Sequence, residues 1–199
     1  TDMNEPLASV AGNALEVQYA IDYLTGKSRE ARMHAVVVAL GAEMLLLGNM
    51  ADDIEEAETI VESAITSGRA AEKFSAMVAG LGGPLAFIEN VKHHLPAAPV
   101  QLEIHAESEG IVTDIDTRAL GLAVVALGGG RTRADQEVDH VVGFTQLAGL
   151  NANTRDRRPL GIVHARTQDD ANIGAALLRK AYGVGDKAVK KNPTILERI

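Results

Sequence analysis

The pattern of apolar residues changes at the segment LPAAPV, residues 95–100, and this change constrains the fold more than any other feature of the sequence. Before it, apolar residues recur every three or four positions, as in amphipathic helices. After it, VQLEIHA and EGIVTDID alternate apolar and polar residues, as in half-buried strands. Pro96 and Pro99 disfavour helix between these parts. We therefore predict an α+β fold with a mostly helical domain over residues 1–96 and an α+β domain over residues 97–199.

The first part contains signals for five helices. Asn13 and Asp52 are each followed three residues later by a glutamate, which is the spacing of a capping box at a helix start. Pro84 suits the first turn of a further helix. The helix over residues 29–47 has an almost continuous apolar surface, which predicts burial on most sides. The five predicted helices lie near residues 13–25, 29–47, 52–67, 74–78 and 84–91.

The second part mixes strands and helices. Asp116 is placed to cap a helix that ends at Gly128, and ANIGAALLRKAY predicts the last helix. The terminal TILERI, residues 194–199, predicts a short strand. Four earlier segments predict strands, namely VQLEIHA, EGIVTDID, HVVGFTQL and PLGIVHA.

Charge argues against nucleic acid as a partner. The net charge is -8 and the isoelectric point is near 5.2, whereas phosphate backbones are bound by clustered basic faces. Lys and Arg are scattered among acidic residues, and the basic stretch DRRPL, residues 156–160, has no interleaved aromatic residue. We therefore predict no nucleic-acid partner and a solvated loop at DRRPL.

The sequence contains no cysteine, which excludes disulfides, thiolate zinc sites and a cysteine nucleophile and is consistent with a reducing cytoplasm. The longest apolar stretch, Ala35 to Gly48, contains Glu43 and is shorter than the roughly 20 residues that span a bilayer. We therefore predict a buried helix there, no membrane partner and a cytoplasmic protein.

LGGGRTR, residues 127–133, is the stretch most suggestive of chemistry. Backbone amides of the three glycines, above all Gly129 and Gly130, could bind an anion together with the guanidinium groups of Arg131 and Arg133. The site residues proposed for this interpretation are Gly129, Gly130 and Arg131. Phosphate sites, however, are normally built at the start of a helix, and these glycines follow one. A turn that ends the helix is the favoured interpretation, and an anion site is the alternative. Neither a dinucleotide-binding fingerprint nor a P-loop is present.

Other candidate groups favour structural roles. Asp114 and Asp116 are spaced like a carboxylate pair, but a strand end leading into a capped helix explains them. The acidic run at residues 52–58 is explained by helix capping and a solvated face. We expect His164 to be a hydrogen-bonded strand residue. No metal site is predicted, since no two histidines stand four residues apart on a helix; they are His34, His93, His94, His105, His140 and His164.

Four blocks, TDMNEPLASVAGNALEV, DTRALGLAVVALGGGR, VDHVVGF and PLGIVHA, resemble the thymidine phosphorylase and pyrimidine-nucleoside phosphorylase family, in family order. The resemblance covers the whole of this chain, and it corresponds to only the C-terminal part of the family's polypeptide. It implies that the first half belongs to a central α/β domain and the second half to a small C-terminal domain with barrel-sandwich character.

The resemblance also implies an activity, the reversible phosphorolysis of thymidine to thymine and 2-deoxy-α-D-ribose 1-phosphate in pyrimidine salvage. Inorganic phosphate is then a co-substrate, and no cofactor is implied. The family's phosphate and pyrimidine ligands lie upstream of this segment, so no catalytic or substrate-binding residue is assigned here. A homodimer is implied for the full-length protein, and the choice between thymidine and uridine stays open.

Two departures from the family pattern affect local expectations. Some bacterial relatives bind potassium through carbonyls near the positions of Leu7 and Val10 and through a glutamate, but Tyr19 stands at that glutamate position, so we do not predict the ion. The loop LNANTRDRRPL, residues 150–160, also differs from the family's usual turn. A lipoyl-type carrier would need a lysine at this tip, and the tip offers arginines.

Two functional hypotheses follow. The first is the C-terminal portion of a thymidine phosphorylase that is inactive by itself. The alternative is a non-catalytic anion-binding or assembly module that uses Gly129, Gly130 and Arg131.

Overall fold

The computed structural model of the protein describes residues 1–198. Helices and small antiparallel sheets occur together, so the predicted α+β class is confirmed. The chain divides into two compact units. The helical unit comprises Thr1, residues 18–94 and the described residues from Pro193 onward, and the mixed unit comprises residues 2–17 and 95–192. The predicted domain boundary at residues 96 and 97 stays a prediction.

Five helices carry the first part of the chain. Helix α1 runs over Asn13–Leu24, with its residues from Gln18 onward in the helical unit. The others are α2 at Ala31–Leu47, α3 at Ile54–Thr66, α4 at Arg69–Gly80 and α5 at Val91–His94. Helix α2 packs on α3, and α3 packs on α4.

Helix α3 begins one residue later than predicted. Asp53, rather than Asp52, accepts from the Glu56 N–H at 2.8 Å. The Glu56 carboxylate accepts in return from the Asp52 N–H at 2.8 Å, an arrangement that resembles a capping box but is displaced by one residue, since Asp52 precedes the cap. The run DDIEE contains the cap spacing twice, so the pattern predicts a cap but does not choose between the two registers.

The prediction that α2 is buried on most sides is wrong. Val36 and Ala42 are its buried residues. Leu40, Met44 and Leu47 are 56%, 72% and 83% exposed. One face of α2 packs on α3, and a nearly continuous apolar sequence does not by itself provide neighbours for the other faces.

The predicted fifth helix from Pro84 is also wrong, because residues 85–90 form turns and α5 begins at Val91. Phe87 is buried, with its ring centroid 6.4 Å from that of Phe74 and 5.9 Å from that of His94. Leu85, which the helical pattern would place on an apolar face, is 87% exposed. Tertiary packing of Phe87 therefore outweighs the local pattern.

The mixed unit contains two antiparallel sheets, and the four predicted strands are present in it. The larger sheet has the order β1-β4-β5-β2, and the smaller pairs β3 with β6. In the larger sheet, Phe144 lies opposite Val163, and Leu102 lies opposite the same residue from the other side. The strands are β1 at Val10–Ala11, β2 at Val100–Ile104, β3 at Ile111–Ile115, β4 at Gly143–Thr145, β5 at Gly161–Ala165 and β6 at Tyr182–Gly185.

Two helices cover this sheet and complete a continuous core. They are α6 at Thr117–Ala126 and α7 at Gln168–Ala181, and they pack against each other. Asp116 caps α6 by accepting from the Ala119 N–H at 2.8 Å, as predicted. The largest fully buried side chains of this core are Ile104, Val112, Phe144, Leu160, Val163 and Leu178.

The N-terminal segment, residues 2–12, is part of the mixed unit and is held by polar contacts. Buried Glu5 accepts from the Leu150 N–H at 2.8 Å and pairs with the Lys191 ammonium at 3.2 Å. The Asn192 amide donates to Asp2 at 3.0 Å. Both ends of the mixed unit therefore lie beside each other.

Two further observations concern helix length and the last residues. Across residues 1–198, the helices are too short or too polar to cross a bilayer. The strand predicted at residues 194–199 is not formed over 194–198, where the Arg198 side chain instead pairs with Glu43 on α2. Ile199 lies outside the described residues.

Candidate functional site

The glycine turn, residues 127–130, follows α6 and is the stretch that the sequence singled out. Gly128 has a φ of 93°, a left-handed value that favours glycine. Its N–H donates to the Val125 carbonyl at 2.9 Å, and the Gly129 N–H donates to the Val124 carbonyl at 2.9 Å. These two bonds form a Schellman motif. The predicted turn at the end of α6 is therefore confirmed.

Close packing explains the next two glycines. A Cβ atom at Gly129 would lie 2.7 Å from Cγ1 of Val124, and one at Gly130 would lie 2.8 Å from Cγ2 of Val125. Both distances are shorter than side chains tolerate, so a larger residue would displace a valine. The packing of α6 thus requires glycine at both positions without reference to a ligand.

Asn13 contacts the glycine turn rather than capping its own helix. Its side-chain amide donates to the Gly129 carbonyl at 3.0 Å. Glu16 accepts from the Gly12 N–H at 2.9 Å, so Gly12 takes the capping position that was predicted for Asn13. The capping prediction for Asn13 is therefore wrong, because its side chain takes a partner that is distant in sequence.

The Arg131 side chain is exposed beyond the turn. Its neighbours form local contacts, with Arg133 3.4 Å from Asp135. Because the Gly129 N–H donates within the turn, an anion here would be held by the Gly130 N–H and the Arg131 guanidinium. The anion site at Gly129, Gly130 and Arg131 stays a prediction.

The structure adds a charged pair that sequence reasoning missed. Arg166 donates to both carboxylate oxygens of Asp139, from Nε at 2.7 Å and from Nη2 at 2.8 Å. The Asp139 N–H donates to the Gly128 carbonyl at 2.8 Å, which joins the pair to the glycine turn. The hydrogen bonds from Arg166 hold the pKa of Asp139 below its usual range.

A cleft of about 470 Å³ lies at this pair and is lined also by Gly128 and His140. The two charges of Asp139 and Arg166 neutralise each other, so the pair brings no net charge to the cleft. The pair does not combine a nucleophile with an adjacent general base. The geometry indicates a structural salt bridge that holds the glycine turn in place, rather than a reaction centre.

A signal for this pair was present in the strand pattern. Asp139 precedes β4 and Arg166 follows β5, and these strands are antiparallel with Gly143 opposite His164. Antiparallel pairing brings the start of one strand to the end of the other. Pairing HVVGFTQL with PLGIVHA in this register would therefore have placed Asp139 near Arg166.

His164 is a buried strand residue, as predicted. Its Nε2 lies 2.8 Å from the Thr145 hydroxyl. Burial lowers its pKa, because the charged imidazolium is poorly solvated there. Over residues 1–198, no group of three or more His, Asp or Glu side chains is arranged to hold a metal ion.

Tyr19 does not fit the potassium site that the family resemblance suggests. Burial, with a further contribution from Glu30, raises the pKa of its phenol. The group therefore stays neutral, whereas the resemblance implies a glutamate with a negatively charged oxygen at this position.

The loop at residues 150–160 is built on backbone hydrogen bonds. Asn151 has a φ of 65° and exchanges two side-chain hydrogen bonds with the Val189 backbone, at 2.8 and 2.9 Å. Buried Thr154 accepts from the Gly110 N–H at 3.0 Å. At the tip, Asp156 and Arg157 have φ values of 58° and 56°. These contacts fix the loop up to Thr154, and an exposed basic tip follows at residues 155–158.

Comparison with known families identifies two matching regions. The family described as "Pyrimidine nucleoside phosphorylase C-terminal domain" matches residues 111–185. The family described as "Glycosyl transferase family, a/b domain" matches residues 1–71. The first match contains β3, α6 with the glycine turn, β4, β5, α7 and β6.

Curated relatives extend the similarity over the whole chain. Proteins named thymidine phosphorylase from Burkholderia cenocepacia, Burkholderia orbicola and Burkholderia lata are each 48% identical over 199 residues. The match covers 100% of this chain and 45% of each relative. The chain therefore spans a little under half the length of these relatives.

Proposed function

We propose that this chain forms part of an enzyme that cleaves thymidine with phosphate. The premise is that the chain belongs to the thymidine phosphorylase family, a family of transferases. The observation that carries the proposal is 48% identity, without a break in coverage, to proteins named for that reaction. The substrates are then thymidine and inorganic phosphate.

In this reaction a phosphate oxygen forms a bond to C1′ of the deoxyribose, and the bond from C1′ to N1 of the base breaks. Thymine gains on N1 the proton that the hydrogen phosphate loses, and the sugar becomes 2-deoxy-α-D-ribose 1-phosphate. Positive charge develops on the sugar ring as the base leaves, so catalysis depends on positioning and on electrostatic stabilisation.

The 199-residue chain by itself is inactive in this proposal. This part of the proposal is supported by the family resemblance, which implies that the phosphate and pyrimidine ligands precede the matched part. The Asp139–Arg166 pair and the Schellman motif support a scaffold role for the glycine turn. We further propose a cytoplasmic homodimer for the complete enzyme, without nucleic-acid or membrane partners.

A chimera tests this function directly. This chain replaces the matching part of the Burkholderia cenocepacia relative, and thymine release from thymidine is measured with and without phosphate. We expect phosphate-dependent release by the chimera and none by the isolated chain. Uridine serves as a parallel substrate that reports the base preference.

Each arm has an outcome that contradicts the proposal. A chimera that folds, as judged by circular dichroism, but does not cleave thymidine removes the assignment to this reaction. Thymine release by the isolated chain overturns the inactivity. A chimera carrying Phe144→Asp is the unfolded control, because a carboxylate at this fully buried position disrupts the core, and it should show neither the native circular dichroism spectrum nor thymine release.

The alternative, an anion-binding module at Gly129, Gly130 and Arg131, has its own test. It requires that phosphate raise the melting temperature of the chain and that Arg131→Ala abolish the increase. We expect Arg131→Ala to leave any such increase unchanged, because the neighbouring Gly129 N–H is committed to the turn.

A further inference from the structure

A second cavity in the mixed unit, here called the Arg179 pocket, has a volume of about 360 Å³ and shares no lining residue with the cleft at Asp139. This volume lies within the range of about 300–1,000 Å³ that is usual for small-molecule sites. Glu107, Ser108, Leu160, Arg179, Lys180 and Tyr182 line the pocket.

The inner wall of the Arg179 pocket is apolar. Leu160 is 1% exposed, so the pocket reaches the core of the mixed unit. The Tyr182 hydroxyl donates to the Ala148 carbonyl at 2.9 Å, so the ring rather than the hydroxyl serves as pocket surface. An apolar or aromatic group of a ligand would gain binding free energy by displacing water from this wall.

The rim of the pocket carries hydrogen-bond donors. Arg179 donates from Nε to the His105 carbonyl at 2.9 Å, which orients the guanidinium and leaves its terminal nitrogens as donors. Within residues 1–198, the Lys180 ammonium and the Ser108 hydroxyl have no side-chain hydrogen bond or ion pair. Two cations and one hydroxyl thus converge on one opening.

The charges at this opening sum to a positive value. Arg179 and Lys180 contribute two positive charges, and Glu107 contributes one negative charge. Both cations also lie in the last turn of α7, where they offset the negative end of the helix dipole. The helix dipole explains the cations but not the apolar cavity beneath them.

We propose that the Arg179 pocket binds a small organic anion, in which a carboxylate or phosphate monoester is attached to a short apolar or aromatic group. The anion contacts Arg179, Lys180 and Ser108, and the apolar group lies against Leu160 and the Tyr182 ring. The proposal concerns binding alone and does not depend on thymidine cleavage.

Titration of the 199-residue chain with phenyl phosphate tests the proposal. Amide chemical shifts of Ser108 and Val184, which line the pocket, are expected to move saturably. Inorganic phosphate, which lacks the ring, should bind more weakly. Equal affinity for the two probes, or no saturable shift at these amides, overturns the proposal.

Three variants that each remove one charge are expected to change phenyl phosphate binding in different directions. Lys180→Gln should weaken phenyl phosphate binding about fivefold, and Glu107→Gln should strengthen it by about the same factor. Lys187→Gln, a matched change at an exposed lysine outside the lining set, should have no effect.

The variants also separate a built site from general attraction. If Lys187→Gln weakens binding as much as Lys180→Gln does, the anion responds to net charge and the site is refuted. Ala176→Leu, at a lining residue that is exposed, should block the pocket without a change in charge. Undiminished binding to this variant, with an otherwise unchanged amide spectrum, also contradicts the proposal.

Discussion

The helical unit and the mixed unit place their apolar residues differently. In the mixed unit, Ile104, Phe144 and Leu178 are each 0% exposed and belong to one cluster. In the helical unit, Met44 and Leu47 on α2 are 72% and 83% exposed. Strand pairing fixes which side chains share a face of the sheet. The period of a helix also fixes which side chains share a face, but a helix forms without a partner, so the burial of that face depends on the neighbouring elements.

Polar contacts join three helices of the helical unit. The Tyr23 hydroxyl lies 2.8 Å from Nδ1 of His34, and Nε2 of His34 lies 2.7 Å from Glu62. The three residues lie on α1, α2 and α3, so one imidazole links three helices. Burial is the main cause of a raised pKa at Tyr23, which keeps the phenol protonated as a donor.

The largest effect is expected from Phe144→Ala in the mixed core. Removing a fully buried ring should lower the free energy of unfolding by about 3–5 kcal/mol. Amide hydrogen exchange in β5 and α7 measures the loss within the mixed unit. Leu85→Ala is the control, because Leu85 is 87% exposed in the helical unit. A similar loss for both variants would remove the contrast between the units.

Gly128→Ala should destabilise the mixed unit by about 1–2 kcal/mol, because alanine disfavours the left-handed conformation that residue 128 adopts. Thermal unfolding provides the measurement. Gly121→Ala is a matched control within α6, where a Cβ atom meets nothing within 4 Å. It should instead stabilise the helix by about 0.5–1 kcal/mol. Destabilisation by both changes would mean that the left-handed conformation of residue 128 is not the cause of the effect.

Tyr23→Phe should destabilise the helical unit by about 1 kcal/mol, because the ring stays buried while one hydrogen bond to His34 is lost. Hydrogen exchange of amides in α1 and α2 reports this loss. Glu58→Gln, one turn before Glu62 on α3 and exposed, is the control and should have no effect. An unchanged exchange rate in Tyr23→Phe would show that apolar packing alone holds these helices.

The smallest effect is a pH dependence at His164. Its pKa is lowered in the folded state by burial, so below the ordinary value of 6.5 the unfolded state binds more protons than the folded state. Stability from neutral His164 is therefore complete above that value and is lost as pH falls. Denaturation midpoints at about pH 7.5 and about pH 5.5 measure the change.

His164→Gln keeps a group that can form a hydrogen bond with the Thr145 hydroxyl but does not titrate. We expect the acid-induced drop in the midpoint to be smaller in this variant. An equal drop in both proteins would assign the pH dependence to other groups. Asp139, whose pKa is lowered from 3.8, loses its contribution in a more acidic range and does not interfere.

Local signals in the sequence predicted much of the fold. The Asp116 cap and the turn at Gly128 depend on residues within a few positions of each other, and both were correct. The burial of α2 and the helix from Pro84 were wrong, because both depend on contacts with residues distant in sequence. Amphipathic patterns report which face can be buried and do not report whether a partner is present.

The candidate site was harder to predict for the same reason. Asp139 and Arg166 are 27 positions apart and meet through the register of β4 and β5. Asn13 meets Gly129 across 116 positions. The three glycines suggested an anion site, but the amides of Gly128 and Gly129 donate to carbonyls of α6, and Gly129 and Gly130 pack against valines of α6.

The position of β1 bears on how the mixed unit could be made as a separate protein. β1 pairs with β4, so a chain that starts at residue 97 would leave β4 as an open strand edge, which invites aggregation. The contact between Asn192 and Asp2 suggests a remedy. A circular permutant that joins residue 192 to residue 2 through a short linker would keep the edge closed within one continuous polypeptide.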